Sequence, residues 1–158
     1  MKGICMRYAK SEDDAEDILQ ESFINVFRKL STYKESGSLG GWIRRITVNK
    51  AIEYYRKERS MSKHLNEFHL ENGDEQLTEI FETIDLDLLM QKIQALPNGY
   101  RVVFNLRGIE GYTHREIAIE LGITEGTSKS QFARARKILQ EMVKSEMKYE
   151  QIAAKYVK

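Results

Sequence analysis

The chain has 158 residues, with 25 Lys and Arg against 24 Asp and Glu, so its formal net charge is +1. Hydrophobic residues make up 41% and charged residues 31%, which is typical of a globular protein rather than a disordered one. No apolar stretch is long enough to span a bilayer, and the first ten residues lack the apolar segment of a signal peptide. The single cysteine, Cys5, excludes an internal disulfide and a cysteine-based zinc site. We therefore expect a soluble cytoplasmic protein, and its single proline favours an all-α fold.

Charge divides the chain into three segments. Residues 1–59 contain 12 basic and 9 acidic residues, 60–90 contain 1 and 8, and 91–158 contain 12 and 7. Two basic segments flanking an acidic one indicate two small helical domains joined by an acidic linker. We place the domains at 1–59 and 85–144, the linker at 60–84 and a helical tail at 145–158. A domain of about 60 residues is marginally stable alone, which favours docking on a partner.

The first segment begins with a predicted helix over about 15–30, for which Ser11 is a suitable N-cap. Its apolar stripe at helical spacing consists of Ala15, Ile18, Leu19, Ser22, Phe23, Val26, Phe27 and Leu30. Acidic residues surround the start of this helix, where they suit the positive end of the helix dipole. An acidic docking face for a basic partner is the main alternative. A metal site is disfavoured, because the carboxylates are spread around the helix with no histidine nearby.

A turn over 33–38 separates this helix from a second one, predicted from about Leu39 to Arg59. One face of the second helix is apolar, and the other faces are basic, with tyrosines and Asn49 among the cations. Such a helix suits contact with phosphates and stacking on bases, although a basic helix face is often only solvated.

A helix-turn-helix pattern occupies the second basic segment, after predicted helices that end at 96 and run over 97–108. Its defining residues are Thr113 and Glu116 as a capping box, Gly122 at the tight turn and Thr124 as the next N-cap. From Thr127 to Lys137 there are four basic residues and no acidic one. Small polar side chains can approach base edges, and Lys and Arg bind phosphates, so the pattern predicts DNA binding. The alternative is a helical hairpin with a solvated basic face.

Both basic segments resemble regions of one protein family, and they occur along the chain in the same order as those regions do in the family. Similarity to region 2 of the extracytoplasmic-function (ECF) sigma factors, in the sigma-70 family, lies in SEDDAEDILQESFINVFRKL and GSLGGWIRRITVNKAIEYYRKER. Similarity to region 4 lies in LPNGYRVVFNLRGIEGYTHREIAIELGITEGTSKSQFARARKIL. The resemblance implies an alternative sigma factor. Such a protein is a non-enzymatic subunit that binds core RNA polymerase and directs DNA-templated transcription initiation at specific promoters.

The resemblance also implies three binding surfaces, with no cofactor, metal or small-molecule substrate. Binding to the largest polymerase subunit is implied for Asp17, Gln20 and Glu21. Binding to the minus-ten promoter element, with a flipped base held by the loop, is implied for Lys34, Ser36, Ser38, Arg44, Arg45, Asn49 and Lys50. Binding to the minus-thirty-five element is implied for Arg115, Thr127, Lys129, Ser130, Ala133, Arg134 and Arg136.

The same resemblance implies two further contacts, and the chain differs from the family pattern at a few positions. The helix from Leu88 to Leu96 would contact the second-largest polymerase subunit, and an anti-sigma factor is a further partner to consider, because such control is common in the family. Region 2 would lack its first helix, of which 1–8 is the tail. Two glycines precede Trp42 where bulkier residues are usual, and Ser128 stands where valine is common.

A free-standing helix-turn-helix regulator is the alternative function, with the first segment as a sensor or dimerisation domain. It would bind a palindromic site alone as a dimer. An enzyme acting on nucleic acid lacks an acid–base pair, because His64 and His69 lie in the linker and His114 at a helix start. A scaffold protein is the remaining alternative.

Overall fold

A computed structural model describes the backbone of residues 1–61 and 85–156, and the side chains of 1–59, 85 and 87–146. Every regular element in these ranges is helical, so the predicted all-α class is confirmed. The helices are α1 (Lys2–Tyr8), α2 (Glu12–Lys29), α3 (Leu39–Met61), α4 (Leu86–Ala95), α5 (Asn98–Phe104), α6 (His114–Leu121) and α7 (Glu125–Tyr156). They form two compact units. Of the predicted acidic linker at 60–84, positions 60 and 61 belong to α3, and 62–84 lie outside the described residues. None of these helices combines the length and the hydropathy that crossing a membrane requires.

Three helices build the first unit, in which α1, α2 and α3 all pack against one another. Its core contains Cys5, Tyr8, Ala15, Ile18, Val48, Ala51 and Ile52, each at most 2% exposed. The segment 1–8, which the resemblance makes the tail of a longer helix, is helical over Lys2–Tyr8 and contributes buried side chains to this core.

The start of α2 is fixed by the capping box that its sequence contains. Ser11 Oγ accepts a hydrogen bond from the Asp14 N–H at 3.1 Å, and the Asp14 carboxylate accepts one from the Ser11 N–H at 3.1 Å. Two backbone donors that a helix start leaves unpaired are thereby satisfied, which holds the first turn of α2 in place.

The start of α3 carries two adjacent glycines with different surroundings. The Gly41 N–H donates to Ser38 Oγ at 3.1 Å, and a Cβ added at Gly41 would lie 3.0 Å from that oxygen. A Cβ added at Gly40 would meet nothing within 4 Å. A side chain at position 41 would therefore press on the oxygen that caps the helix, whereas a side chain at position 40 would meet no such contact.

We expect Gly40→Ala to raise the free energy of unfolding by up to about 1 kcal/mol, because alanine restricts the unfolded chain and favours a helix. Gly41→Ala should give less stability than Gly40→Ala, because its Cβ displaces the Ser38 cap. Urea unfolding followed by circular dichroism measures both variants. Equal gains for the two would contradict the assigned role of Gly41.

In the second unit, α4 and α5 pack against the long helix α7. Their common core contains Ile93, Leu96, Phe104, Ala135 and Leu139. Leu96, which was expected to lie on a helix that contacts polymerase, is only 3% exposed, whereas Leu88 is half-buried. The inner side of α4 therefore serves its own unit.

A wide turn follows α5, where the sequence predicts an unbroken helix to position 108. Over Asn105–Ile109 the chain forms a π-helical turn, in which an N–H bonds to the carbonyl five residues earlier. The Glu110 N–H, for example, donates to the Asn105 carbonyl at 2.9 Å. Gly111 then adopts a φ of 78°, in the left-handed region that glycine tolerates. This turn leads the chain to the cap of α6.

Candidate nucleic-acid interface

The exposed side of α2 carries the three residues expected to bind polymerase. Asp17, Gln20 and Glu21 are all exposed, and none of them belongs to the buried side chains of the helix. Ile24 and Phe27 continue this face by helical spacing and are 48% and 73% exposed. Phe27 belongs to the apolar stripe of the predicted helix, but the core does not cover it. Each step of four residues advances about 40° around a helix, so the row of apolar side chains that ends at Phe27 turns away from the core.

The acidic cluster at the start of α2 divides into separate roles. Lys2 of α1 forms ion pairs with Glu12 at 2.8 Å and with Glu16 at 3.1 Å. The Asp14 carboxylate belongs to the helix cap and also accepts a hydrogen bond from the Tyr54 hydroxyl of α3, which lowers the pKa of Asp14. Among the side chains that the structure describes, no three His, Cys, Asp or Glu residues are grouped so as to hold a metal ion.

We expect Asp14→Asn to destabilise the first unit by about 1 kcal/mol at neutral pH, the usual value of a helix cap. A lowered pKa means that ionised Asp14 favours the folded state, a contribution that is lost as the pH falls below about 4. The stability difference between parent and variant should therefore shrink in acid. Melting curves from pH 7 to pH 3 measure it, with Asp13→Asn on an exposed neighbour as the charge-matched control. A difference independent of pH would contradict this role.

Lys50, expected at the minus-ten surface, lies beside Glu21, which is expected to bind polymerase. Its ammonium group is 2.8 Å from Glu53 and 2.9 Å from Glu21, and its side chain is only 14% exposed. These two carboxylates raise the pKa of Lys50, and the bond to Lys50 lowers that of Glu21. A groove of about 430 Å³ between α2 and α3 is lined by all three residues. Side chains expected to bind two different partners are therefore in direct contact.

The loop before α3 presents the residues expected to surround a flipped base. Tyr33 closes it by donating from its hydroxyl to the Gly37 carbonyl, and its ring lies 5.3 Å from the Trp42 ring, centre to centre. Glu35 has a φ of 55°, which is unusual for a residue with a side chain. The candidate residues on this loop, all exposed, are Lys34, Ser36 and Ser38.

On α3, Arg45 and Asn49 are both exposed and lie one turn apart on the same face. Arg44 is half-buried. The exposed pair gives this helix a polar, cationic edge that an incoming nucleic acid strand can reach, beside the loop described above.

The helix-turn-helix of the second unit has the caps that its sequence predicts. The Glu116 carboxylate accepts from the Thr113 N–H at 2.8 Å, and Thr113 Oγ1 accepts from the Glu116 N–H at 3.2 Å. Gly122 makes the turn with a φ of 61°. Thr124 Oγ1 then accepts from the Thr127 N–H at 3.0 Å and so fixes the start of α7.

Three of the expected minus-thirty-five residues lie along one face of α7. Lys129, Ala133 and Arg136 follow each other at helical spacing. Lys129 is 60% exposed and forms an ion pair with Glu125 at 2.9 Å, which lowers the pKa of Glu125. The Arg136 guanidinium lies 5.7 Å from the centre of the Phe132 ring, a cation–π contact.

The other expected residues of this surface are placed differently. Arg134 donates from Nη1 to the Tyr100 hydroxyl of α5 at 3.0 Å and is half-buried. Thr127 takes part in the helix cap, and its carbonyl accepts from Ser130 Oγ at 3.0 Å. Arg115 at the start of α6 is exposed. Of the expected residues on α7, Lys129 is thus the exposed one, whereas Ala133, Arg134 and Arg136 are half-buried.

Several contacts at these surfaces are not predicted by the sequence. The most prominent is between His114 and Ser128, whose Nδ1 and Oγ atoms are 3.0 Å apart. A polar residue at position 128, where the resemblance leads one to expect valine, was the available signal for a buried hydrogen bond. The bond between Arg134 and Tyr100 had no comparable signal, because it joins residues 34 positions apart.

Comparison with known proteins connects both units to one family. The family model for sigma-70 region 2 matches residues 1–61, and the model for sigma-70 region 4 matches residues 86–139. An ECF RNA polymerase sigma factor SigE from Mycolicibacterium smegmatis is 32% identical over 142 residues, which is 87% of this chain and 55% of that protein. An ECF RNA polymerase sigma-E factor from Salmonella typhimurium is 30% identical over 148 residues, or 87% of this chain and 77% of that protein.

A solved structure shares the fold. It is the sigma factor RpoE in complex with the anti-sigma factor NepR from Bartonella quintana, with a TM-score of 0.54 and 23% identity. The match covers 90% of this chain and 89% of that one. Two region models in the family's order and relatives at 30% identity or more therefore place the chain among the ECF RNA polymerase sigma factors of the sigma-70 family, the alternative sigma factors that direct transcription initiation.

Proposed function

We propose that this chain acts in the cytoplasm, without catalytic activity of its own, by binding the two largest subunits of core RNA polymerase and carrying them to promoter DNA. Region 2 would occupy 1–59 and region 4 would occupy 85–144, with the acidic linker at 60–84 and the tail at 145–158. The observation that carries the proposal is the presence of an exposed, partly apolar face on α2 together with a capped helix-turn-helix on the same chain.

Polymerase binding is assigned to the exposed face of α2. Asp17, Gln20 and Glu21 supply its polar part, and Ile24 and Phe27 supply its apolar part. Neighbouring apolar side chains on an otherwise polar surface are typical of interaction sites, and aromatic residues are frequent near the centre of an interface. This mixed character supports a protein partner rather than a nucleic acid for this face.

Minus-ten DNA binding is assigned to the 34–38 loop and to the exposed edge of α3. The loop residues Lys34, Ser36 and Ser38 would surround the flipped base, and Arg45 and Asn49 would contact phosphates and base edges. Arg44 is assigned to the same surface. Lys50 would join it after exchanging its carboxylate partners for DNA.

Minus-thirty-five DNA binding is assigned to α7 and the start of α6. Lys129, Ser130, Ala133 and Arg134 would read base edges in the major groove, where a recognition helix fits. The phosphate contacts are assigned to Arg115, Thr127 and Arg136. The solved relative in complex with an anti-sigma factor supports an anti-sigma partner as a further proposal for this chain.

Binding to purified bacterial core polymerase, followed by run-off transcription from a promoter library, tests the proposed function. We expect stoichiometric binding to core and transcripts that depend on specific promoters. Tight binding of the chain alone to a palindromic duplex, without binding to core, would instead support a free-standing regulator.

A further inference from the structure

The first residue of α6 is tied to the recognition helix by a hydrogen bond. His114 Nδ1 lies 3.0 Å from Ser128 Oγ, and either group can be the donor, depending on the tautomer of the ring. Ser128 is 0% exposed, so water does not compete for its hydroxyl. A hydrogen bond has a narrow range of length and angle, whereas an aliphatic contact at the same place would tolerate sliding and rotation.

The His114 ring makes a second contact with the same helix, one turn further on. Its edge meets the Phe132 ring at 5.8 Å between centres and an angle of 65°. Phe132 in turn stacks on Phe104 at 5.9 Å, which connects it to the core of the unit. One histidine therefore contacts two successive turns of α7, at Ser128 and at Phe132.

Two contacts on successive turns define the rotation of a helix about its own axis. Lys129 and Ala133 each follow one of the contacted residues, so they lie about 100° around α7 from Ser128 and Phe132. A rotation of α7 that moved these side chains relative to DNA would have to break the hydrogen bond or displace the ring.

The charge at this place fits a positioning role better than a phosphate contact. Burial lowers the pKa of His114, and the nearby Arg107 and Lys129 lower it further, against the opposite effect of Glu125. A lowered pKa disfavours the charged form of the ring, and the cations beside it are the groups suited to phosphate.

We propose that His114 and Ser128 are a pair of positioning residues that fix the rotation of the recognition helix and thereby set minus-thirty-five sequence discrimination without touching a base. This proposal rests on the minus-thirty-five role proposed for α7. It makes the serine at position 128 a determinant of promoter choice rather than a neutral replacement of an aliphatic residue.

The test uses the full chain assembled with core polymerase. Run-off transcription is measured on a promoter selected from a library and on single-base variants of its minus-thirty-five and minus-ten elements. Ser128→Ala removes only the hydroxyl, and His114→Phe keeps a ring against Phe132 but removes the hydrogen bond. His114→Asn keeps an amide near the position of Nδ1 and is the conservative variant. Ser145→Ala, at a serine of α7 whose hydroxyl donates to the Met142 carbonyl, is the matched control.

We expect Ser128→Ala and His114→Phe each to lower minus-thirty-five discrimination about two- to 150-fold, the range that coupling between contacting residues spans. The double variant should lose no more than either single one, His114→Asn should retain part of the discrimination, and minus-ten discrimination and core affinity should not change. Unchanged minus-thirty-five discrimination, additive effects, or an equal loss at both elements would overturn the proposal. A parent chain that binds core but shows no minus-thirty-five preference would overturn the role of α7 itself, a different result from loss in the variants alone.

Discussion

Phe27→Asp should weaken binding to core RNA polymerase at least tenfold while leaving the fold intact. The side chain is 73% exposed at the end of the α2 face, so an aspartate there gives up only a tilted ring contact with Phe23, 6.4 Å between ring centres. Surface substitutions of this kind change the free energy of unfolding by about 0.5 kcal/mol or less. At a protein interface, by contrast, an exposed aromatic residue is a frequent hot spot, and its loss together with a new charge costs about 2 kcal/mol or more.

Titration of a fluorescently labelled chain with core polymerase measures this affinity, and a thermal melt reports the fold. Ile119→Asp is the matched control, because Ile119 is 70% exposed and lies on α6 of the second unit. Affinity retained in Phe27→Asp but lost in Gln20→Ala would place the edge of the docking face before Phe27. Loss in both Phe27→Asp and Ile119→Asp would indicate a general effect of the added charge.

Local signals in the sequence predict most of the helix boundaries. Ser11, Thr113 and Thr124 each cap the helix that follows them, and Gly122 makes the predicted turn. These features depend on a few neighbouring residues, because a cap or a left-handed glycine satisfies the backbone within one turn. Such local rules hold in both units whatever packs against the helices.

The rotation of a helix face is harder to predict than its boundaries. Leu30 belongs to the same apolar stripe as Ala15, yet it is 47% exposed, whereas Ala15 is 0% exposed. A stripe only says that apolar side chains share a side. How much of that side is covered depends on the neighbouring helices, and two partners cannot cover a stripe that winds around a helix of 18 residues.

Side-chain pairing across helices is the part of the candidate site that the sequence does not predict. Lys50 lies 29 positions from Glu21, and nothing in the spacing of either residue indicates their ion pair. The ion pairs of long charged side chains depend on which charges the packed helices bring within reach, so the pairs follow from packing. The residues of the candidate surfaces could therefore be named from the resemblance. The sequence did not indicate which of them form ion pairs or hydrogen bonds with other residues of the chain.

Lys129→Ala and Arg134→Ala should both reduce preference for the minus-thirty-five element, but only the second should also destabilise the second unit. Lys129 is 60% exposed, and its loss removes one surface ion pair of little energetic consequence. Arg134 is half-buried and donates to the Tyr100 hydroxyl at 3.0 Å, so its removal leaves a packing defect and a lost hydrogen bond. For each base contact removed, we expect a loss of about 1–3 kcal/mol in discrimination.

Tyr100→Phe distinguishes reading of bases by Arg134 from support of the fold by the same residue. It removes the hydroxyl that accepts the hydrogen bond but leaves the guanidinium, so it should lower stability by about 1 kcal/mol. If Arg134 reads bases, discrimination should fall much less in Tyr100→Phe than in Arg134→Ala. Run-off transcription on promoter variants at several salt concentrations measures this. Lys129→Ala or Arg134→Ala could instead lower transcription equally on all promoter sequences and reduce its salt dependence by about one charge. That result would mean that the residue binds phosphate and does not read bases, because phosphate contacts contribute affinity without sequence preference.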